Sequence, residues 1–183
     1  MTTPAPATSA ALRAQLASGS LTGHWTLDPA RSTATLRSKS VWGLVPVKGV
    51  FRELEGDGEV SADGSVTGRI ALATASLDTG NRKRDTHLRS ADFFLSEEYP
   101  VIVVAVDSLV TAGEGVTVSG RLTVRDQTQP VSFPAAAALT GDGDIALDAS
   151  LQVDRSEFGL TWNQLGMSST KNDVTIHAVF TRS

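Results

Sequence analysis

From His24 onward, apolar and polar residues alternate with a period of two. Val116, Val118, Leu122 and Val124 fall on one face, and Thr117, Ser119, Arg121 and Thr123 on the other. Ile145, Leu147, Ala149, Leu151 and Val153 repeat the pattern, as do Val174, Ile176, Ala178 and Phe180 near the end. Such alternation marks antiparallel strands with one dry face and one wet face, and these segments lack the 3.6-residue period of a helix. Turn chemistry separates the runs at Gly56-Asp57-Gly58, Asp63-Gly64, 113–115 and Gly141-Asp142-Gly143. About eight strands at this spacing predict a sandwich or a closed barrel. The charged stretch 81–94 has no alternation and carries Leu88, Phe93 and Phe94, which predicts a helical excursion between two strands. Ahead of the sheet, 1–7 reads as a disordered Pro/Thr/Ala tail. Thr8 or Ser9 then offers a cap for a short helix with Leu12 and Leu16 on one face and Gly19 as its stop. That helix is expected outside the barrel or against a partner. The organisation is thus a tail and short helix over 1–22 and an all-β domain over 23–183.

Composition narrows the choice of function. A length of 183 residues, 40% hydrophobic and 20% charged, fits an ordinary globular domain with a sizeable core. The net charge of -4 argues against nucleic acid as a partner. No cysteine is present, so disulfides, thiolate metal sites and cysteine nucleophiles are excluded. No apolar run approaches the ~20 residues of a membrane span. The start of the chain has no basic stretch, and Arg13 interrupts the next apolar run, so the expected location is cytoplasmic. His24, His87 and His177 lack metal-ligand spacing, and Asp142 and Asp144 fit a hairpin turn better than a calcium loop. No nucleophile elbow, phosphate loop or dinucleotide fingerprint occurs. No metal, cofactor or catalytic residue is therefore expected.

Several stretches in order carry a family likeness. They are Trp25-Thr26-Leu27-Asp28-Pro29, Ser76-Leu77-Asp78-Thr79-Gly80, and Arg84-Asp85-Thr86-His87-Leu88-Arg89-Ser90 followed by Ala91-Asp92-Phe93-Phe94. Tyr99-Pro100, Gly120-Arg121-Leu122-Thr123-Val124, Asp154-Arg155-Ser156-Glu157-Phe158-Gly159-Leu160 and Asn172-Asp173-Val174 follow. Together they resemble the YceI-like family over about 25–180. The resemblance implies a lipocalin-like, eight-stranded antiparallel barrel with an internal tunnel for polyisoprenoid, quinone or fatty-acid-like ligands, and no common catalytic activity. The chain departs from the family where histidines are frequent, carrying Arg31 and Lys39-Ser40 instead; if those histidines hold a headgroup, another head is preferred here.

The dry face supplies candidate lining residues: Phe51, Val66, Ile70, Leu72, Val103, Leu122, Phe133, Leu147, Leu151, Ile176 and Phe180. Periodicity alone leaves open whether they wall a tunnel or fill the barrel; the resemblance implies a tunnel. An aromatic content of 5% and small inward residues such as Ala135, Ala137 and Ala149 point the same way. At the mouth, Arg84, Asp85 and His87 are candidates for an anionic head, with Arg82 and Lys83 read as solvated. Alternatively, Asp85 pairs with an arginine and locks the excursion onto the barrel. Arg155 and Asp154 invite the same two readings, with structure favoured. Trp42 and Trp162 are candidates for walling or plugging the rim, Trp25 for the core, and Phe93, Phe94 and Phe158 for pinning loops. The expected function is binding of a long-chain amphiphile, as a carrier or sequestering protein rather than an enzyme. The alternatives are an enzyme using His87 and Asp85 as acid and base, and a non-binding homodimeric module.

Overall fold

The computed structural model describes residues 10–41, 43–163 and 168–183. The caps proposed at Thr8 and Ser9, and Trp42, lie outside the described residues. The sheet is a continuous antiparallel meander whose last strand returns to its first. Its segments are β1 (Gly23–Leu27), β2 (Thr33–Ser40), β3 (Val45–Phe51), β4 (Leu54–Val60), β5 (Val66–Ala73), β6 (Leu77–Asp78), β7 (Val101–Ala112), β8 (Gly115–Val124), β9 (Gln127–Leu139), β10 (Ile145–Asp154) and β11 (Lys171–Arg182). Three pairs, β1/β2, β3/β4 and β5/β6, are single staves broken by corners, so the barrel has the expected eight staves. The β1/β2 corner is held by its own polar residues. Asp28 accepts from the Ala30 amide, while Ser32 Oγ donates to the Asp28 carbonyl and accepts from the Val179 amide on β11. Closure follows from β11 pairing with β10 on one side and with β1 and β2 on the other, with Phe180 opposite Leu27 and Ile176 opposite Ala34. Closure pairs most strands on both sides, while residues 45–49 of β3 pair with β2 alone among the described residues.

The structure shifts several expectations. Gly56-Asp57-Gly58 is not a turn but the middle of β4. A side chain at Gly56 would meet the Arg69 carbonyl at 2.7 Å and Leu27, and one at Gly68 would meet the Asp57 carbonyl at 2.7 Å. Glycine here serves close approach of strands, not chain reversal. Val103 faces outward, and Ile102 and Val104 point in. A bulge between Val106 and Ser108 then moves the inward register, so that Leu109 packs on the core.

The short helix α1 (Ala10–Ser18) covers one end of the barrel. Leu12 is 2% exposed and packs with Leu21, Trp25, Val60 and Ala137. The Trp25 indole donates to the Leu21 carbonyl, and Arg13 donates to the Gly113 carbonyl in the β7–β8 turn. α1 therefore packs against the barrel end beneath the β9 and β7–β8 termini. The second helix, α2 (Arg82–Arg89), lies at the other end, where the excursion was expected.

Candidate functional site

A cavity of about 530 Å³ occupies the half of the barrel under α2. Its walls are apolar: Leu36, Val47, Phe51, Leu72, Ile102, Val104, Leu122, Val124, Leu151, Val153, Val174 and Ile176. The polar groups gather at one end, from β2 (Ser38, Lys39, Ser40), α2 with its cap (Asn81, Lys83, Arg84, His87), and the β10–β11 connection (Arg155, Trp162, Ser168, Ser169). Asn81 and Lys83 are exposed, so this end faces solvent.

Local sequence holds α2 over the opening. The Asn81 side chain accepts from the Arg84 amide at 3.1 Å, an N-cap that starts the helix. Asp85 accepts from the Thr79 amide and hydroxyl at 3.0 and 2.6 Å, and Arg84 Nε donates to the same hydroxyl at 2.8 Å. Arg125 clamps the turn after α2 by donating to the carbonyls of Ala91 and Phe93, and Phe94 is buried beneath it. His87 bonds Asp92 through Nε2 at 2.8 Å and stands edge-on to Trp162 and Phe93, with ring centroids 4.4 and 5.2 Å away.

Arg155 is the most consequential polar residue at the cavity. It begins a 3₁₀ turn (Arg155–Phe158) that ends at Gly159, in the left-handed region at φ 74°. The residue is 8% exposed. Its Nε donates to the Ser169 carbonyl at 3.1 Å, and Nη1 donates to the carbonyls of Leu160 and Trp162 at 2.6 and 2.8 Å. Nη2 is buried with no hydrogen-bond partner among the described residues. The guanidinium also lies over the Phe93 ring, 5.6 Å from its centroid. Burial pulls its pKa below the ordinary arginine value, with Asp154 opposing weakly through its charge. Asp154 is not its ion-pair partner: that carboxylate accepts from the Ser156 amide and hydroxyl at 3.0 and 2.6 Å. Those bonds, the hydroxyl's first, hold Asp154 below the usual carboxylate range. Among the described residues, the cavity head therefore carries a buried positive charge with one donor nitrogen unmatched, which is costly unless an acceptor meets it.

Of the residues singled out in the sequence, Phe51, Leu72, Leu122, Leu151, Arg84, His87 and Trp162 border the cavity. Asp85 does not; it anchors α2 to Thr79, and Thr79 rather than an arginine is its partner. Phe133 does not either, being packed in the core, and Phe180 borders a smaller apolar pocket of about 100 Å³ at the other end. Val66, Ile70 and Leu147 border that second pocket too. Ala135 and Ala149 lie in packed core and Ala137 under α1, so these alanines do not create the cavity. Arg31 pairs with Asp28 and Asp144 beside the β9–β10 turn, away from the polar opening, whereas Lys39 and Ser40 border the cavity. The carbonyl bonds of Arg155 fit the structural role favoured for it from the sequence, and the residue also borders the cavity. The signal in the sequence is an arginine directly after a fully alternating strand, inside a turn motif. Among the described residues, no group of three His, Asp or Glu side chains converges as a metal site, and no helix is long and apolar enough to cross a membrane.

Comparison with known proteins agrees with this architecture. A UPF0312 protein of Enterobacter sp. strain 638 is 29% identical over 137 residues, 70% of each chain. Protein YceI of Escherichia coli O157:H7 is 31% identical over 114 residues; the match spans 58% of each chain. Among solved structures, Burkholderia cenocepacia BcnA superposes with a TM-score of 0.77 at 22% identity, covering 85% of this chain and 99% of that one. A polyisoprenoid binding domain from Saccharophagus degradans, implicated in plant cell wall breakdown, gives 0.70 at 17% identity, covering 87% and 98%. At these identities the structural matches establish the fold. The YceI-like domain model matches residues 25–181, nearly the whole barrel, and the chain belongs to the YceI-like family.

Proposed function

We propose that this protein binds a long-chain amphiphile tail-first in its barrel and works as a carrier or sequestering protein, not as an enzyme. The observation that carries this reading is the half-empty barrel: a cavity of about 530 Å³ with apolar walls and a polar end at which Arg155 Nη2 is buried without a hydrogen-bond partner among the described residues. The structural neighbour described as a polyisoprenoid binding domain supports a ligand of this class. Each buried methylene contributes roughly 0.8 kcal/mol and a charge-assisted hydrogen bond about 1.5–3 kcal/mol, so the tail sets affinity and the head sets orientation. A head bearing acceptors, such as a carboxylate, phosphate or quinone carbonyl, complements Arg155, Lys39 and Arg84. The acid–base alternative has little support, because Asp85 is tied to Thr79 and the partner of His87 is Asp92.

The test has two stages. Organic extraction of purified protein, read by mass spectrometry, should recover an amphiphile. The delipidated protein should then bind a long-chain carboxylic acid about tenfold or more tighter than the alcohol of equal length, from one charge-assisted bond. Recovery of no amphiphile, together with no binding of either compound, would remove the proposal.

A further inference from the structure

The cavity does not run the length of the barrel. Along β10, Val153 and Leu151 border the main cavity and Leu147 and Ile145 the small pocket, while Ala149 between them borders neither. β11 repeats this order, with Val174 and Ile176 above, Phe180 below and the fully buried Ala178 between. Leu27, Leu54 and Phe133 join these alanines in the continuous core without bordering either space. They form a packed waist. Below it, the small pocket is about 100 Å³, and beyond that Leu12 and Trp25 seal the end under α1.

Resting on the amphiphile-binding reading, we infer that the waist limits the tail, so that the ligand is a single-chain amphiphile whose tail ends at this floor. The cavity of about 530 Å³ stops there, and the packed side chains below it leave only the small pocket. The floor is made of close-packed side chains, and moving it means forcing them off their rotamers. A longer tail must leave its excess in water at the polar opening, where further carbons add no affinity.

The experiment titrates delipidated protein with straight-chain carboxylic acids of about 10 to 24 carbons, below their micelle concentrations, by displacement of a fluorescent fatty acid. Affinity should tighten up to roughly fourfold per added methylene, then stop tightening at the length that reaches the waist, short of the longest acids. Phe133→Ala, which opens the floor, should move that break to longer acids and leave the shortest acids unaffected. Phe133→Leu is the milder variant should the first not fold, and should move the break in the same direction by less. Continued tightening to the longest acids, or a forty-carbon polyprenyl acid binding more tightly than the best straight-chain acid, would overturn the length limit and leave the binding proposal standing. No binding at any length would remove both.

Discussion

Filling the cavity should stabilise the empty protein and weaken its binding, and Val153→Phe tests both at once. Val153 lies inward near the end of β10, opposite Asn172 in the register, and borders the cavity. The phenyl ring enters space that the empty protein leaves unfilled. It removes apolar surface from water and adds dispersion contacts to the walls, for a gain of about 1 kcal/mol. It also occupies the path of about two tail methylenes, so binding should weaken by roughly 1.5 kcal/mol, or a little over tenfold. Urea unfolding of the delipidated variant gives the first quantity, and displacement of a fluorescent fatty acid gives the second. A barrel filled by its own side chains predicts the opposite sign for stability. Overpacking would then cost about 1–3 kcal/mol and lower the unfolding midpoint. A lowered midpoint with an unchanged denaturant slope would therefore refute the empty-cavity argument.

Two further predictions concern the ends of the barrel. Leu12→Ala should lower stability by about 2–5 kcal/mol in urea unfolding, because Leu12 is buried at 2% exposure under α1; a surface-like loss below about 0.5 kcal/mol would mean that α1 does not seal that end. In acid, the turn bearing Arg155 should loosen only once Asp154 is protonated. The Ser156 bonds lower the folded-state pKa, so the stability they contribute is present above the ordinary value of 3.8 and is lost as pH falls through the lower folded value. A loss of that contribution beginning at pH 6, and persisting in Asp154→Asn, would contradict this assignment.

The barrel was legible because its strands are wet on one face. Alternation in β8, β10 and β11 named the inward residues correctly, and the excursion at 81–94 was visible as a break in that rhythm. Errors arose where a residue type has two uses. Glycine in Gly56-Asp57-Gly58 reads as a turn, yet it lets β4 approach β5 and Leu27 pack over it. Val103 was assigned inward by its apolar character, in a strand where Val101, Ile102, Val103 and Val104 are all apolar and composition carries no phase. The cavity itself was not legible from periodicity, because Leu122 at the wall and Phe133 in the packed waist are both inward and apolar. Which inward layer is hollow depends on how side chains from different staves interleave, and that is a property of the closed barrel.

Arg155 was hard to weigh for a related reason. A turn arginine ordinarily satisfies nearby carbonyls, and here Nε and Nη1 do that for Ser169, Leu160 and Trp162. These contacts engage two of the three nitrogens of a planar, five-donor group and fix its orientation. The third, Nη2, is buried without a hydrogen-bond partner among the described residues, in a residue that borders the cavity. The structural and binding readings of this arginine are thus the same geometry. On the proposed function, a headgroup would gain its hydrogen bonds with little further loss of side-chain freedom, because the guanidinium is held before any ligand arrives. The exposed Lys83 is not held in this way, and charge attraction at an exposed site is screened by water and salt. Headgroup selectivity should therefore rest on the buried arginine more than on the basic run of α2.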